Sequence, residues 1–247
     1  MSVNFGTGTL IAIPNAGDLA VNPTPMKFGT LQDVSIDFSG DVKELFGQYQ
    51  FAVDTARGKI KIAWKAKYAQ LVGKQVNDLF FSETLASPMQ SFSIDEAGTI
   101  PTTPFQVTVV QSATFQTDGG VYFVTTGLPL TKVASGPTTG QYSVAAGVYT
   151  FAAADTGKAV LINYTFTAAG TTGTGFTINN HAMGYGPVFQ ILFTSQYKGK
   201  QLNLQLNACR STKLMFATKQ DDYTIPEFDG ASFADASNVV GKMWFND

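Results

Sequence analysis

The chain has 247 residues, of which 14% are charged against roughly 25% in an ordinary soluble domain, and a formal net charge of −2. No basic excess is present to neutralise phosphates, which excludes a protein whose task is to grip duplex DNA. A single cysteine, Cys209, excludes an internal disulfide framework and points to folding in a reducing compartment.

Thr, Ser, Gly, Gln and Asn stand where charge would be, together with 20 Phe and 9 Tyr. That is a composition of strands, and of surfaces covered in an obligate assembly. The length allows one large β domain or one domain carrying an insertion. The first twenty residues carry no basic segment followed by a long apolar run, so no secretory leader is expected. No stretch approaches the ~18 apolar residues that cross a bilayer. The expectation is a soluble protein made in the cytoplasm.

The first strongly periodic element is "KIKIAWKAK", residues 59–67. Lys59, Lys61, Lys65 and Lys67 alternate with Ile60, Ile62, Trp64 and Ala66, the pattern of a half-buried strand. The lysine row, with Lys74 close behind, reads either as a surface that meets phosphate or as the wet face of a strand guarding an edge. No arginine or aromatic interleaves on that face, which favours the second. Next, "KYAQLVGKQVNDLFF" repeats Tyr68, Leu71, Val72, Val76, Leu79 and Phe80 at spacings of three and four, opposite Lys67, Gln70, Lys74 and Asn77. This predicts an amphipathic helix able to dock on a sheet, weakened by about 1 kcal/mol at Gly73.

From residue 100 to 178 the only charges are Asp118, Lys132, Asp155 and Lys158. The runs "FQVTVV", "VYFVTT", "GVYTFAAA" and "AVLINYTFT" are separated by Gly, Pro and Thr turns, which predicts an inserted β module, with "AAGTTGTG" as linker-like material beside it. Beyond it, "PVFQILFTSQY", a "KGK" turn and "KQLNLQLNA" predict an antiparallel hairpin. Its second strand sets Gln201, Asn203, Gln205 and Asn207 against Leu202, Leu204, Leu206 and Ala208.

Chemistry is sparse. His181, in "NNHAMGYGP", is the one histidine, and no Gly-x-Ser-x-Gly elbow accompanies it, so it reads as a loop residue beside a turn. Neither a Cys pair, a His pair nor an Asp-rich calcium loop is present, and no cofactor or metal is expected. "KQDDYTIPEFD" gathers Asp221, Asp222, Glu227 and Asp229. A glycosidase would need two such carboxylates across a sugar site, but Pro226 marks an extended surface segment and the four read as solvated turn residues.

Two segments carry a family resemblance. "KFGTLQDVSIDFSGDVKELFGQYQFAVDTARGKIKIAWKAKYAQ", residues 27–70, resembles the N-terminal half of the tail tube proteins (major tail proteins) of long-tailed bacteriophages, and "LNLQLNACRSTKLMFATKQDDYTIPEFDGASFADASNVVGKMWF", residues 202–245, resembles their C-terminal half. The likeness lies in segment order and composition over rather more than a third of the chain. It implies a mainly β fold, a β-sandwich or barrel of antiparallel sheets with one flanking α-helix. Residues 1–99 and 179–247 would form that domain, and 100–178 an inserted β module that departs from a minimal subunit. It further implies a virion structural protein without catalysis, self-assembling as hexameric rings stacked around a lumen for DNA ejection. The partners would be tail initiator or baseplate, tape measure and tail terminator proteins, with viral DNA only in transit and no membrane.

In such proteins a long loop reaches the neighbouring ring. The matching segment is 39–58, with Leu45, Phe46, Tyr49 and Phe51 as its apolar contacts. A sliding duplex favours a lumen wall without basic residues, and Gln201, Asn203, Gln205 and Asn207 are the candidates for it. Lys59, Lys61, Lys65 and Lys67 then belong to a subunit interface or to solvent, paired with acidic neighbours; were they to face the lumen, nearby carboxylates such as Asp33 and Asp37 should offset them. A second reading takes the aromatic, Thr-rich module as a β-sandwich that binds carbohydrate or decorates a virion. An enzyme using the 221–229 carboxylates is a third.

Overall fold

The computed structural model describes residues 6–15, 23–218 and 220–246. Residues 1–5 and 16–20 of the segment read for a leader lie outside them. In chain order the elements are β1 (Thr9–Pro14), β2 (Met26–Lys27), β3 (Leu31–Phe46), β4 (Ala52–Tyr68) and a helical turn α1 (Gly73–Val76) that widens into a π turn at Asn77–Phe81. There follow β5 (Gln90–Thr99), β6 (Gln106–Thr108), β7 (Phe115–Phe123), β8 (Thr131–Lys132), β9 (Gln141–Ala145), β10 (Val148–Phe151) and β11 (Ala159–Thr167). The chain ends in β12 (Phe189–Tyr197), β13 (Lys200–Met215), β14 (Glu227–Phe233) and β15 (Gly241–Asn246). The fold is mainly β, its sheets antiparallel but for the short parallel pair β8/β9. Among the described residues no helix is long and apolar enough to cross a membrane.

Two compact units emerge, residues 1–84 with 176–247 and residues 85–175. The composition shift at residue 100 therefore marks the insertion late. β5 precedes it in sequence but pairs along its length with β11, from Gln90↔Thr167 to Thr99↔Ala159. Its Asp95 and Glu96 lie just before the charge-poor stretch. The linker-like stretch is tied to residues 86–89: Met89 N–H donates to Thr172 O at 3.1 Å and Ser87 Oγ to Gly173 O at 3.0 Å.

In the first unit the strand order is β2-β1-β12-β13-β14-β4-β3, with β15 also on β13. β13 is the pivot. One of its edges carries β12, while the other carries β15 along Gln201–Leu206 and β14 along Ala208–Met215. A single long strand thus feeds two leaves, and their apolar faces close on Leu10, Phe28, Trp64, Phe189, Ile191, Leu206 and Phe228. Each of the large side chains contributes about 1.5–3 kcal/mol by leaving water. The Trp64 ring stacks on Phe228 at 6.3 Å and meets Phe189 edge-on at 5.7 Å. Gly230 makes room for it: a Cβ there would lie 2.2 Å from Trp64 Cζ2 and 2.4 Å from Arg210 O.

The hairpin expected at "KGK" is present, Tyr197 pairing Lys200 across Lys198 and Gly199, whose φ values of 48° and 79° are those of a type I′ turn. The helix is shorter than its apolar stripe predicts. Tyr68 instead ends β4, fully buried edge-on against Phe28 at 4.9 Å. The next amides, of Ala69 and Gln70, donate to Thr30 O and Gly29 O, so the segment stays extended beside β3 while Leu71 and Val72 remain exposed. Val76 and Leu79 do face the core, with Phe80 partly buried against it. Asn77, expected on the wet side, is buried because its amide is bound to the Glu83 backbone at 2.7 and 2.9 Å.

The second unit sets the sheet β6-β10-β9-β8 and the sheet β5-β11-β7 around Val121, Tyr142, Tyr149, Val160 and Ile162. Asp118 sits among them, accepting from Tyr142 Oη at 2.8 Å, Tyr149 Oη at 2.9 Å and Lys132 Nζ at 3.0 Å. Burial opposes its ionisation, but the bonds from Lys132, Tyr142, Gly120 and Tyr149 outweigh that and hold the carboxyl below its ordinary range.

Candidate functional site

The most unusual feature of the first unit is the outer part of the β3/β4 hairpin. Ladder pairs run from Val42↔Arg57 to Phe46↔Ala52, yet among the described residues β3 has no second neighbour and β14 accompanies β4 only from Ile62 to Lys67. Residues 39–61 therefore form a two-stranded ribbon without a supporting sheet. At about 3.3 Å per residue the part from Ala52 to Lys61 reaches roughly 30 Å. Such a ribbon is marginal in water by itself. This one also displays grease: Leu45, Phe46, Tyr49 and Phe51 are 63%, 57%, 75% and 84% exposed, and Val42 and Val53 are open beside them. The four residues that the family resemblance assigns to the loop thus gather at one tip.

The lysine row divides. Lys59 and Lys61 lie on the ribbon, exposed, and make no ion pair with a described residue. Lys65 and Lys67 lie in the body and converge on Glu227 at 2.8 and 3.9 Å, with Lys213 Nζ at 2.6 Å from the other side. Glu227 corrects the reading of the 221–229 carboxylates as solvated turn groups: it belongs to β14 and is buried, as is Pro226. Hydrogen bonds from Lys213 and Lys65 lower its carboxyl to about 2 against the opposing cost of burial. The neighbours that balance the row come from β14 more than from β3, since Asp33 faces Lys67 across the ladder but is not its ion-pair partner. Sequence spacing hides this, because strand pairing alone brings residues 65, 213 and 227 together.

Gln201, Asn203, Gln205 and Asn207 share one face of β13, opposite the buried Leu204, Leu206 and Ala208. Register continues that face across four strands, Thr9–Thr194–Asn203–Trp244 in one row and Ile11–Leu192–Gln205–Lys242 in the next. In these rows Lys242 is the one charged side chain among the described residues. The amides spend their polarity on one another: Gln201 Nε2 donates to Asn203 Oδ1 at 3.1 Å, Gln205 Nε2 to Asn207 Oδ1 at 3.0 Å, and Asn207 Nδ2 to Asp235 at 2.7 Å. A shallow hollow of about 380 Å³ lies on this face beside Ile11, Leu192 and Trp244.

The residues weighed for catalysis do not converge. His181 Nε2 lies 2.8 Å from Glu83 Oε1, its ring stacked on Tyr185 at 3.8 Å. Asn179 also donates to Glu83, and Tyr185 Oη donates to Ser82 O at 3.1 Å. The hydrogen bonds from His181 and Asn179 hold the Glu83 carboxyl below its ordinary range, so this cluster fastens a loop. Cys209 is fully buried 3.1 Å from Ser232 Oγ, and burial pushes its thiol up to about 12. A thiol in that state is a poor nucleophile. Among the described residues no three His, Cys, Asp or Glu side chains are grouped as for a metal ion.

Scanned against protein-family models, the chain matches none, and a search of curated proteins finds no match either.

Proposed function

We propose that this chain is a structural subunit of a phage tail tube, acting without catalysis, whose copies join as hexameric rings stacked around a lumen for the genome. The observation that carries the reading is the unsupported ribbon with Leu45, Phe46, Tyr49 and Phe51 open at its tip. A ribbon of that kind leaves apolar area and strand edges unsatisfied, and a neighbouring copy in a repeating head-to-tail contact would satisfy both.

The neutral face supports the same reading. Two rows in which Thr, Asn and Gln mix with Ile11, Leu192 and Trp244, and Lys242 is the one charge among the described residues, offer phosphates little to hold, as a wall for a passing duplex requires. On this reading Gln201, Asn203, Gln205 and Asn207 line the lumen, and the ribbon reaches the next ring. Lys59 and Lys61 then meet acidic groups of a neighbouring copy, while Lys65 and Lys67 serve the subunit itself through Glu227. Its partners in the virion tail would be the initiator or baseplate, the tape measure and the terminator.

Electron micrographs of concentrated protein, alone and with an initiating complex, test this. Long hollow tubes with sixfold end views are expected. Particles that stay monomeric under both conditions, with the ribbon protected from proteolysis, would refute it.

A further inference from the structure

The outer face of the sheet β5-β11-β7 in the second unit is dished, and the cause is local. On β5 the register slips between Ser93 and Glu96, setting Ile94 and Asp95 against Asn163 alone. On β7 it slips at the same level, between Asp118↔Tyr164 and Gly120↔Asn163. Asp95 takes φ 54° at its bulge, and its N–H donates to Asn163 Oδ1 at 2.8 Å. Gly119 sits so close to β11 that a Cβ would lie 3.0 Å from Asn163 O. Bulges bend a strand and re-aim its side chains, and two at one level fold the sheet about Asn163.

The result is a groove of about 550 Å³, within the roughly 300–1,000 Å³ of small-ligand sites. Its walls are Phe92, 70% exposed, and Ile94, 68% exposed, on β5, and Tyr122 on β7. Phe92 pairs across to Thr165 and Tyr122 to Leu161, so the two rings stand about 13 Å apart along β11. Between them, among the described residues, the Asn163 amide keeps its Nδ2 donors unspent and Asp95 its carboxylate, while the other lining acid, Asp118, is engaged by Lys132 on the inner side. Among the described residues no basic side chain lines it.

We propose that this groove binds a neutral oligosaccharide, with Phe92 and Tyr122 as stacking platforms and Asp95 and Asn163 as the groups that read hydroxyls. Pyranose rings present C–H faces to aromatics and donor–acceptor hydroxyls at their rims. That matches apolar walls flanking a free acceptor and a free amide. An uncompensated carboxylate with no cation beside it disfavours phosphates, sulfates and acidic lipid headgroups. Adding the two strand spacings between β5 and β7 puts the platforms roughly 16 Å apart, which suits a trisaccharide segment, and the proposal holds whether or not the first unit assembles.

The full chain should be applied to an array of neutral and acidic oligosaccharides, and the strongest neutral probe titrated against the wild type, Phe92→Ala, Tyr122→Ala and Asp95→Asn. Binding to a neutral probe is expected, weakened about tenfold or more by either aromatic substitution, with the thermal midpoint unchanged for Phe92→Ala, whose ring is open to solvent. Binding confined to acidic probes, no binding to any neutral probe, or affinity unchanged in both aromatic variants would overturn the proposal.

Discussion

Replacing Phe46 and Phe51 together by serine removes the two largest apolar groups from the ribbon tip without touching the core. At 84% and 57% exposure, their burial against a neighbour is worth about 1.5–2.5 kcal/mol for Phe51 and about 1–1.5 kcal/mol for Phe46. Their joint loss, about 3 kcal/mol per contact, should raise the critical concentration for tube formation roughly a hundredfold. Pelleting assays over a concentration series, read by micrographs, measure that value. The isolated subunit should unfold as the wild type does, since exposed substitutions usually move stability by less than about 0.5 kcal/mol. Tubes forming at the wild-type concentration would refute the assignment of the tip as a contact. A large fall in subunit stability would show that the phenylalanines pack within their own chain.

Glu227→Gln should flatten the acid limb of unfolding. The folded carboxyl at about 2 lies below its ordinary 4.5, so its stabilisation is complete above pH 4.5 and is lost as pH falls toward 2. With the three lysines partly open to water, the difference at neutral pH is about 1–2 kcal/mol, and denaturant titrations from pH 7 to 2.5 should show the two proteins converging. Gly230→Ala should cost about 2–4 kcal/mol, because the new methyl meets the Trp64 ring and a carbonyl at once; a change in midpoint denaturant concentration worth less than about 0.5 kcal/mol would contradict that packing. Cys209 should resist a thiol reagent at pH 8 in the native protein and react on addition of denaturant, and rapid native labelling would contradict its burial. Asp118→Asn should destabilise the second unit by about 2–3 kcal/mol through its two tyrosine hydroxyls and Lys132, visible as a lower thermal midpoint with β12–β15 amide protection unchanged.

What could be read in advance follows the range of the forces involved. The alternations at 59–67 and 201–208 are visible because strand burial has a period of two; 201–208 carries it through to the finished sheet, whereas in 59–67 only Ile62, Trp64 and Ala66 are covered and Ile60 lies exposed on the ribbon. Tyr68 misled because its spacing to Leu71 and Val72 mimics a helix, while the bonds that hold Ala69 and Gln70 extended come from Thr30 and Gly29, far away in sequence. Glu227 was hidden for a related reason: its three lysines meet it only through pairing with β4 and β13. The tip residues Leu45, Phe46, Tyr49 and Phe51 came from the family likeness, and their exposure is a property of the hairpin that local pattern does not encode. The groove about Asn163 had no sequence signal, since bulges arise from register between strands.

A helical reconstruction of the assembled particle at side-chain resolution tests the central claim most directly. The account predicts a hollow sixfold tube with the Gln201–Asn207 row on its inner wall and the Phe46–Phe51 tip buried in the adjacent ring. A particle in which that tip lies free in solvent, or in which the amide row points away from the channel, would contradict it.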